Sequence, residues 1–206
     1  MCGRYYIDDE TAIEIERLVR HLDQKFMGGG KRDVFPSGQA PVITGQQNEF
    51  AAELFTWGFP GFGSSKLIIN ARSETALDKR TFRDSIQTRR CVVPAAGFYE
   101  WNREKEKYTF LNPDGRTCYL AGFYKEFDSG VRFVILTTGA NDSMKSVHER
   151  MPLVLTEDEL NAWIFDDSQT EVILQKVPGP LKREAEYEQQ TLVFTKENSN
   201  GANDII

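Results

Sequence analysis

The stretch YTFLNPDGRTCYLAGFYKEFDSGVRFVILTT, Tyr108 to Thr138, decides the fold class. It holds three apolar and aromatic runs, Tyr108–Leu111, Thr117–Phe127 and Val131–Thr138, separated by Asn112-Pro113-Asp114-Gly115 and Asp128-Ser129-Gly130. Such runs, broken by Asn, Asp, Pro and Gly, read as antiparallel strands joined by tight turns. Upstream, similar runs cover Pro41–Thr44, Ala51–Phe59, Leu67–Asn70, Cys91–Ala95 and Phe98–Asn102. A helix is expected from Asp8 or Asp9 to about Phe26, because Ile13, Leu18, Val19, Leu22 and Phe26 recur at helical spacing. Further helices are expected over Ser73–Thr88, Asn141–Val147, Thr156–Phe165 and Thr170–Val177. Strands come in runs and not in alternation with helices, which favours an α+β fold over a doubly wound sheet.

With 206 residues, 40% hydrophobic and 27% charged, the chain can bury the core of one domain. The net charge of −6 argues against a diffuse attraction of the whole surface to nucleic acid or anionic membrane. That charge is unevenly spread: Trp57 to Arg103 carries eight basic against four acidic residues, whereas Glu149 to Ile206 carries five against twelve. The middle of the chain can therefore present a local positive surface. Three cysteines without a CxxC pair suggest neither a disulfide framework nor a zinc knuckle. Two histidines leave no ligand pair at metal-binding spacing, so no metal and no cofactor are expected. With no basic and apolar leader and no long apolar window, a cytoplasmic protein away from the membrane is expected, as a monomer.

Cys2 is the most unusual residue. Removal of Met1 would expose a 1,2-aminothiol whose amine and thiol both titrate near neutral pH. An aldehyde would be attacked by the amine to give an imine, which the thiol would close to a thiazolidine; an acyl or amide substrate would be attacked at its carbonyl. The alternative is a penultimate cysteine with no role. Gly3-Arg4-Tyr5-Tyr6 follows at once, where glycine permits close backbone approach and Arg4 can hold a phosphate or carboxylate. His148, in VHERMP, stands at an element junction that suits a titrating group, while His21 reads as a solvent-facing helix residue. Glu100 lies in GFYEW, where aromatic neighbours would raise a carboxyl pKa and fit it for proton transfer, or where strand alternation would turn it to solvent. Asn70 stands at a strand-to-helix junction, able to orient a substrate or simply to cap the helix. Trp57 in WGFPGFG would stack on bases if exposed or pack the core if buried. Cys91 and Cys118 sit in apolar runs and read as inert core thiols.

Taken together, MCGRYY at Met1, Phe35-Pro36, WGFP at Trp57, NARSET at Asn70, RRCVVPAAGFYEW at Arg89, AGFY at Ala121, ILTTGAN at Ile135 and HERMPLVL at His148 resemble the SRAP family, the SOS-response-associated peptidases. The resemblance implies one domain over residues 1–196, with a branched, barrel-like antiparallel sheet surrounded by helices; the composition of ENSNGANDII reads as a disordered tail over 197–206. The resemblance also implies a sensor of abasic sites in single-stranded DNA that forms a thiazolidine crosslink through Cys2. Asn70, Glu100 and His148 fall on the family's other catalytic positions. Arg4, Arg72 and Arg150 would then contact phosphates, and Pro36 and Trp57 would hold flanking bases apart. Two other readings stay open: a thiol peptidase using Cys2, and a non-covalent single-stranded DNA binding module. The chain departs from the family at Phe59, where a bulky aliphatic residue is common, and in the short segment Pro60 to Ser65, where the family often carries a longer basic insertion.

Overall fold

In the computed structural model, which describes residues 2–19, 29–61, 63 and 66–186, the chain weaves a sheet of eight strands, a second of five and a small ribbon of two. The first strands are β1 (Tyr5–Ile7), β2 (Arg32–Val34), β3 (Gln39–Gln46), β4 (Glu49–Trp57), β5 (Phe59–Pro60), β6 (Leu67–Ile68) and β7 (Asn70–Arg72). They continue as β8 (Arg90–Ala95), β9 (Gly97–Trp101), β10 (Lys107–Leu111), β11 (Cys118–Phe127), β12 (Gly130–Gly139), β13 (Arg150–Pro152), β14 (Val154–Leu155) and β15 (Lys182–Ala185). The helices are α1 (Asp9–Leu18), α2 (Arg80–Thr88), α3 (Glu159–Phe165) and α4 (Thr170–Leu174).

The larger sheet closes on itself. β12, β4, β3, β8 and β11 follow one another, and β11 pairs back to β12, making a five-stranded barrel from which β7, β13 and β14 branch. The closing seam between β12 and β4 is parallel, with Arg132 opposite Thr56 and Phe133 opposite Trp57. The β3–β4 hairpin turns on Gln47 and Asn48, both with positive φ (49° and 64°), the primed geometry whose twist matches the flanking strands. Phe127 pairs with Gly130 across Asp128-Ser129, so the second turn of the Tyr108–Thr138 stretch makes the expected hairpin. The first does not. Gly115 N–H donates to the Asn112 carbonyl at 3.0 Å and a turn forms, but β10 lies between β9 and β15 in the second sheet, while β11 lies in the barrel. The turn therefore hands the chain from one sheet to the other.

Alternation within the barrel strands sorts the core. Val42, Cys91, Val93, Leu120, Phe133 and Ile135 join one buried cluster together with Tyr5, Phe98 and Phe110 of the second sheet. Their sequence neighbours Ile43, Val92, Ala121, Val134 and Leu136 join another, which takes in Ile86 of α2, Trp163 of α3 and Leu174 of α4. Gly122 is required on β11: a Cβ there would lie 2.8 Å from the Val134 carbonyl oxygen. Arg90, buried where β8 begins, donates to the carbonyls of Ile86 and Gln87 at the end of α2 and of Trp163 and Ile164 at the end of α3, and pairs with Asp167. One guanidinium thus satisfies the orphan carbonyls of two helix ends.

α1 starts where expected. Asp8 caps it, accepting from Thr11 N–H at 2.9 Å, but it ends at Leu18, because Val19 is extended (φ −109°, ψ 140°). The remainder of the expected helix, from residue 20 to 26, lies outside the described residues, as does the expected tail 197–206. Ser73–Thr88 divides into a 3-10 turn over Ser73–Thr75 and α2. Asn141–Val147 is a chain of turns, not a helix: Asn141 Oδ1 accepts from Ser143 N–H and Oγ, and Asn141 Nδ2 donates to the carbonyls of Pro178 and Gly179.

Candidate functional site

β1 pairs with both β2 and β9, with Tyr5 opposite Val34 on one side and Phe98 on the other. Tyr99 N–H continues the β9 pairing by donating to the Arg4 carbonyl at 3.0 Å, so the N-terminal segment runs along the strand that carries Glu100. Cys2 is buried, 1% exposed, and belongs to the same core cluster as Tyr5 and Trp57. Asn70, at the start of β7, reaches across to it: Asn70 Nδ2 donates to the Cys2 carbonyl at 2.8 Å. The other amide atom, Asn70 Oδ1, is buried and has no hydrogen-bond partner among the described residues.

Glu100 is buried on β9, opposite Tyr108, and does not face solvent. Its charge is felt at Cys2. Burial first, and then the Glu100 carboxylate, push the Cys2 thiol well above its ordinary range, so it is protonated at neutral pH. Burial likewise raises Cys91, and raises Cys118 to about 12, which leaves both as inert core thiols.

His148 is half-buried before β13 and borders a cleft of about 630 Å³ with Trp101, Arg103 and Lys145. His148 Nδ1 lies against the Arg150 main chain, 2.9 Å from its N–H and 3.2 Å from its carbonyl oxygen.

The three arginines expected on phosphates differ. Arg72 is exposed. Arg4 pairs with Asp33, which also accepts from Tyr99 OH at 3.1 Å, and its guanidinium lies 4.7 Å from the Phe35 ring centroid and 5.1 Å from that of Tyr99. Arg150 holds Glu74 in a two-pronged pair, Nη1–Oε1 2.6 Å and Nη2–Oε2 2.9 Å, and Nη2 also donates to the Thr137 carbonyl at 2.6 Å. Asp33 and Glu74, which complete these pairs, are marked by no motif in the sequence.

Trp57 requires a correction. It is fully buried, with its ring edge-on to Tyr5 at 5.2 Å and stacked on Phe133 at 6.3 Å, so no face is open to a base. Its Nε1–H donates to the Ile69 carbonyl at 2.9 Å, which fixes the residue just before Asn70. Pro36 is half-buried in a surface turn between exposed Phe35 and Ser37, and that turn is tied to the Trp57 main chain by Ser37 N–H on the Trp57 carbonyl (2.9 Å) and Trp57 N–H on the Gly38 carbonyl (2.9 Å).

These ion pairs make acid stability a direct check. Burial raises the Asp33 carboxyl, but the hydrogen bonds from Arg4 and Tyr99 outweigh it and leave the group below its ordinary value; the Arg150 hydrogen bond does the same for Glu74. Carboxyls depressed on folding add stability above their unfolded values near ~4, and lose it as pH falls through the lower folded values. For pairs this exposed the contribution is about 0.5 kcal/mol each. The double variant Asp33→Asn/Glu74→Gln is expected to melt roughly 2–4 °C below wild type at pH 7, and the gap is expected to close by about pH 3. A gap of the same size at both pH values would show that the charges do not matter.

Comparison with known proteins agrees with this arrangement. Among solved structures, a protein of Bacteroides thetaiotaomicron superposes with a TM-score of 0.75 at 23% identity, covering 89% of this chain and 91% of its own. A phage-related protein of Bordetella bronchiseptica superposes with a TM-score of 0.72 at 24% identity, covering 89% and 93%. Both likenesses speak for the fold. In sequence, the chain is 27% identical to the abasic site processing protein YedK of Escherichia coli over 80% of this chain and 79% of that one. It is equally identical to the abasic site processing protein YoqW of Bacillus subtilis, over 97% of each chain. The family model of the SOS response associated peptidases matches residues 1–193. With that match spanning the barrel, β1 and every residue of the site, the chain belongs to the SOS response associated peptidase (SRAP) family.

Proposed function

We propose that the protein, once Met1 is removed, captures abasic sites in single-stranded DNA through a thiazolidine at Cys2. The observation that carries this reading is the grip on Cys2 itself: its carbonyl is held by Asn70 and its side chain is buried. A cysteine protease needs a thiolate. Burial disfavours a thiolate, so a buried thiol beside a terminal amine suits the opposite order, in which the amine attacks first.

The ring-opened abasic sugar presents an aldehyde. The Cys2 amine adds to its carbon, the carbinolamine loses one water to give an imine, and the thiol then adds across the C=N bond, its proton passing to the nitrogen. The sum is one aldehyde and one aminothiol giving one thiazolidine and one water. Asn70 Oδ1, buried without a described partner, is placed to accept a hydrogen from the amine and to aim its lone pair. Glu100 gives and takes the protons that ring opening and dehydration require. His148 serves the sugar oxygen from the cleft side. Exposed Arg72 is the phosphate contact that needs no rearrangement, and the Phe35-Pro36 turn is the wedge beside a flanking base.

The test is intact mass after mixing Met1-free protein with an abasic oligonucleotide and with the same oligonucleotide intact. Only the abasic strand is expected to give an adduct, whose mass is the sum of the two components less one water. Equal retention of both strands with no change of mass would favour non-covalent binding and overturn the proposal.

A further inference from the structure

Glu74 belongs to none of the expected catalytic positions, yet it touches both halves of the site. It sits in the turn directly after β7, two residues beyond Arg72 and four beyond Asn70, the residue that holds Cys2. Its two carboxylate oxygens take both ends of the Arg150 guanidinium. Arg150 is in turn the residue whose main-chain N–H fixes the His148 ring. β12 lies between them: Thr137 pairs with Arg72 on one side and with Pro152 on the other, and its carbonyl accepts from Arg150 Nη2.

We infer that Glu74 is a positioning residue, which through Arg150 locks the strand of Asn70 to the main chain that orients His148. This inference rests on the crosslinking reading above. The Arg150 side chain is only 13% exposed, against 38% for Glu74, and both of its terminal nitrogens are already engaged. To bind a phosphate it would first have to surrender a bidentate carboxylate pair and a backbone carbonyl. Its geometry is that of a brace, and phosphate contact passes to Arg72. Loss of the brace lets Asn70 and His148 shift relative to each other, and displacements of about 1 Å at a reacting centre cost on the order of 100-fold in rate.

Two measurements on Glu74→Gln and Glu74→Asp test this. In the first, the rate of adduct formation is followed against the concentration of abasic oligonucleotide at two salt concentrations. Glu74→Gln is expected to lower the saturating rate by about tenfold or more, with the half-saturating concentration within about twofold of wild type and its salt dependence unchanged. Glu74→Asp, which keeps the charge on a shorter arm, is expected to recover part of the rate. An unchanged saturating rate in Glu74→Gln would overturn the inference. So would tighter binding with a steeper salt dependence, which would make Glu74 a competitor of DNA phosphate for Arg150. The second measurement needs no DNA and stands even if wild type forms no adduct. With two histidines in the chain, long-range proton–nitrogen spectra resolve the His148 ring, whose nitrogen shifts are expected to move in Glu74→Gln as its contact with the Arg150 main chain loosens. Identical spectra in the two folded proteins would overturn the inference, whereas loss of adduct in wild type alone would overturn only the crosslinking reading.

Discussion

Cys2→Ala is expected to fold, to keep its non-covalent affinity for abasic single-stranded DNA, and to yield no heat-stable adduct. The thiol is small and enclosed, so its replacement by a methyl group costs about 1 kcal/mol and leaves β1 paired to β2 and β9. The free amine survives in the variant. An imine with the abasic aldehyde can still form, but it cannot close to the ring, and water returns it to the components. Borohydride is therefore expected to trap an adduct in Cys2→Ala, while denaturing gels without reductant show none. A heat-stable adduct in the variant, at wild-type yield and without reductant, would remove the thiol from the mechanism.

The second large effect is at Trp57. Trp57→Ala removes the ring that Tyr5 and Phe133 pack against, and truncation of a fully buried tryptophan costs about 3–5 kcal/mol, a large part of the stability of one domain. Trp57→Phe separates packing from positioning. It keeps a ring in the cavity but removes the Nε1–H that holds the Ile69 carbonyl, which still accepts from Ile135 N–H at 3.2 Å. The expected loss is therefore about 1–2 kcal/mol by chemical denaturation, with a slower crosslinking rate because Asn70 follows Ile69. Were Trp57 a surface platform for bases, Trp57→Phe would leave stability untouched and weaken DNA binding instead.

The fold was legible where alternation is long. β8, β11 and β12 carry six to ten residues each, enough for two apolar sets to show, and the Asp128-Ser129-Gly130 turn named their hairpin. β1, β2 and β15 are three or four residues long and owe their conformation to partners far along the chain, so no local pattern announces them. The Asn112–Gly115 turn shows the limit of turn chemistry: it states that the chain bends and not which strand waits on the other side. In the site, the sequence motifs named Cys2, Asn70, Glu100 and His148, and the fold brings Cys2 into contact with Asn70 and into the field of Glu100. What could not be read was the state of the arginines. Arg4 and Arg150 look like free cations in sequence, because the carboxylates that hold them, Asp33 and Glu74, lie 29 and 76 residues away.

The parallel seam of the barrel bears on when the site comes into being. β4 meets β12 only after the whole chain between Trp57 and Phe133 has been laid down, and β7 docks on the same strand. Contacts of such long sequence separation pay their loop-closure entropy before they return any stability, which slows folding towards milliseconds to seconds. The carbonyl that Trp57 grips and the amide that grips Cys2 both depend on that seam. The segment that carries Cys2 precedes β4 and β12 in the chain, so it is made before the seam that sets it and for a time lacks the strands that hold it.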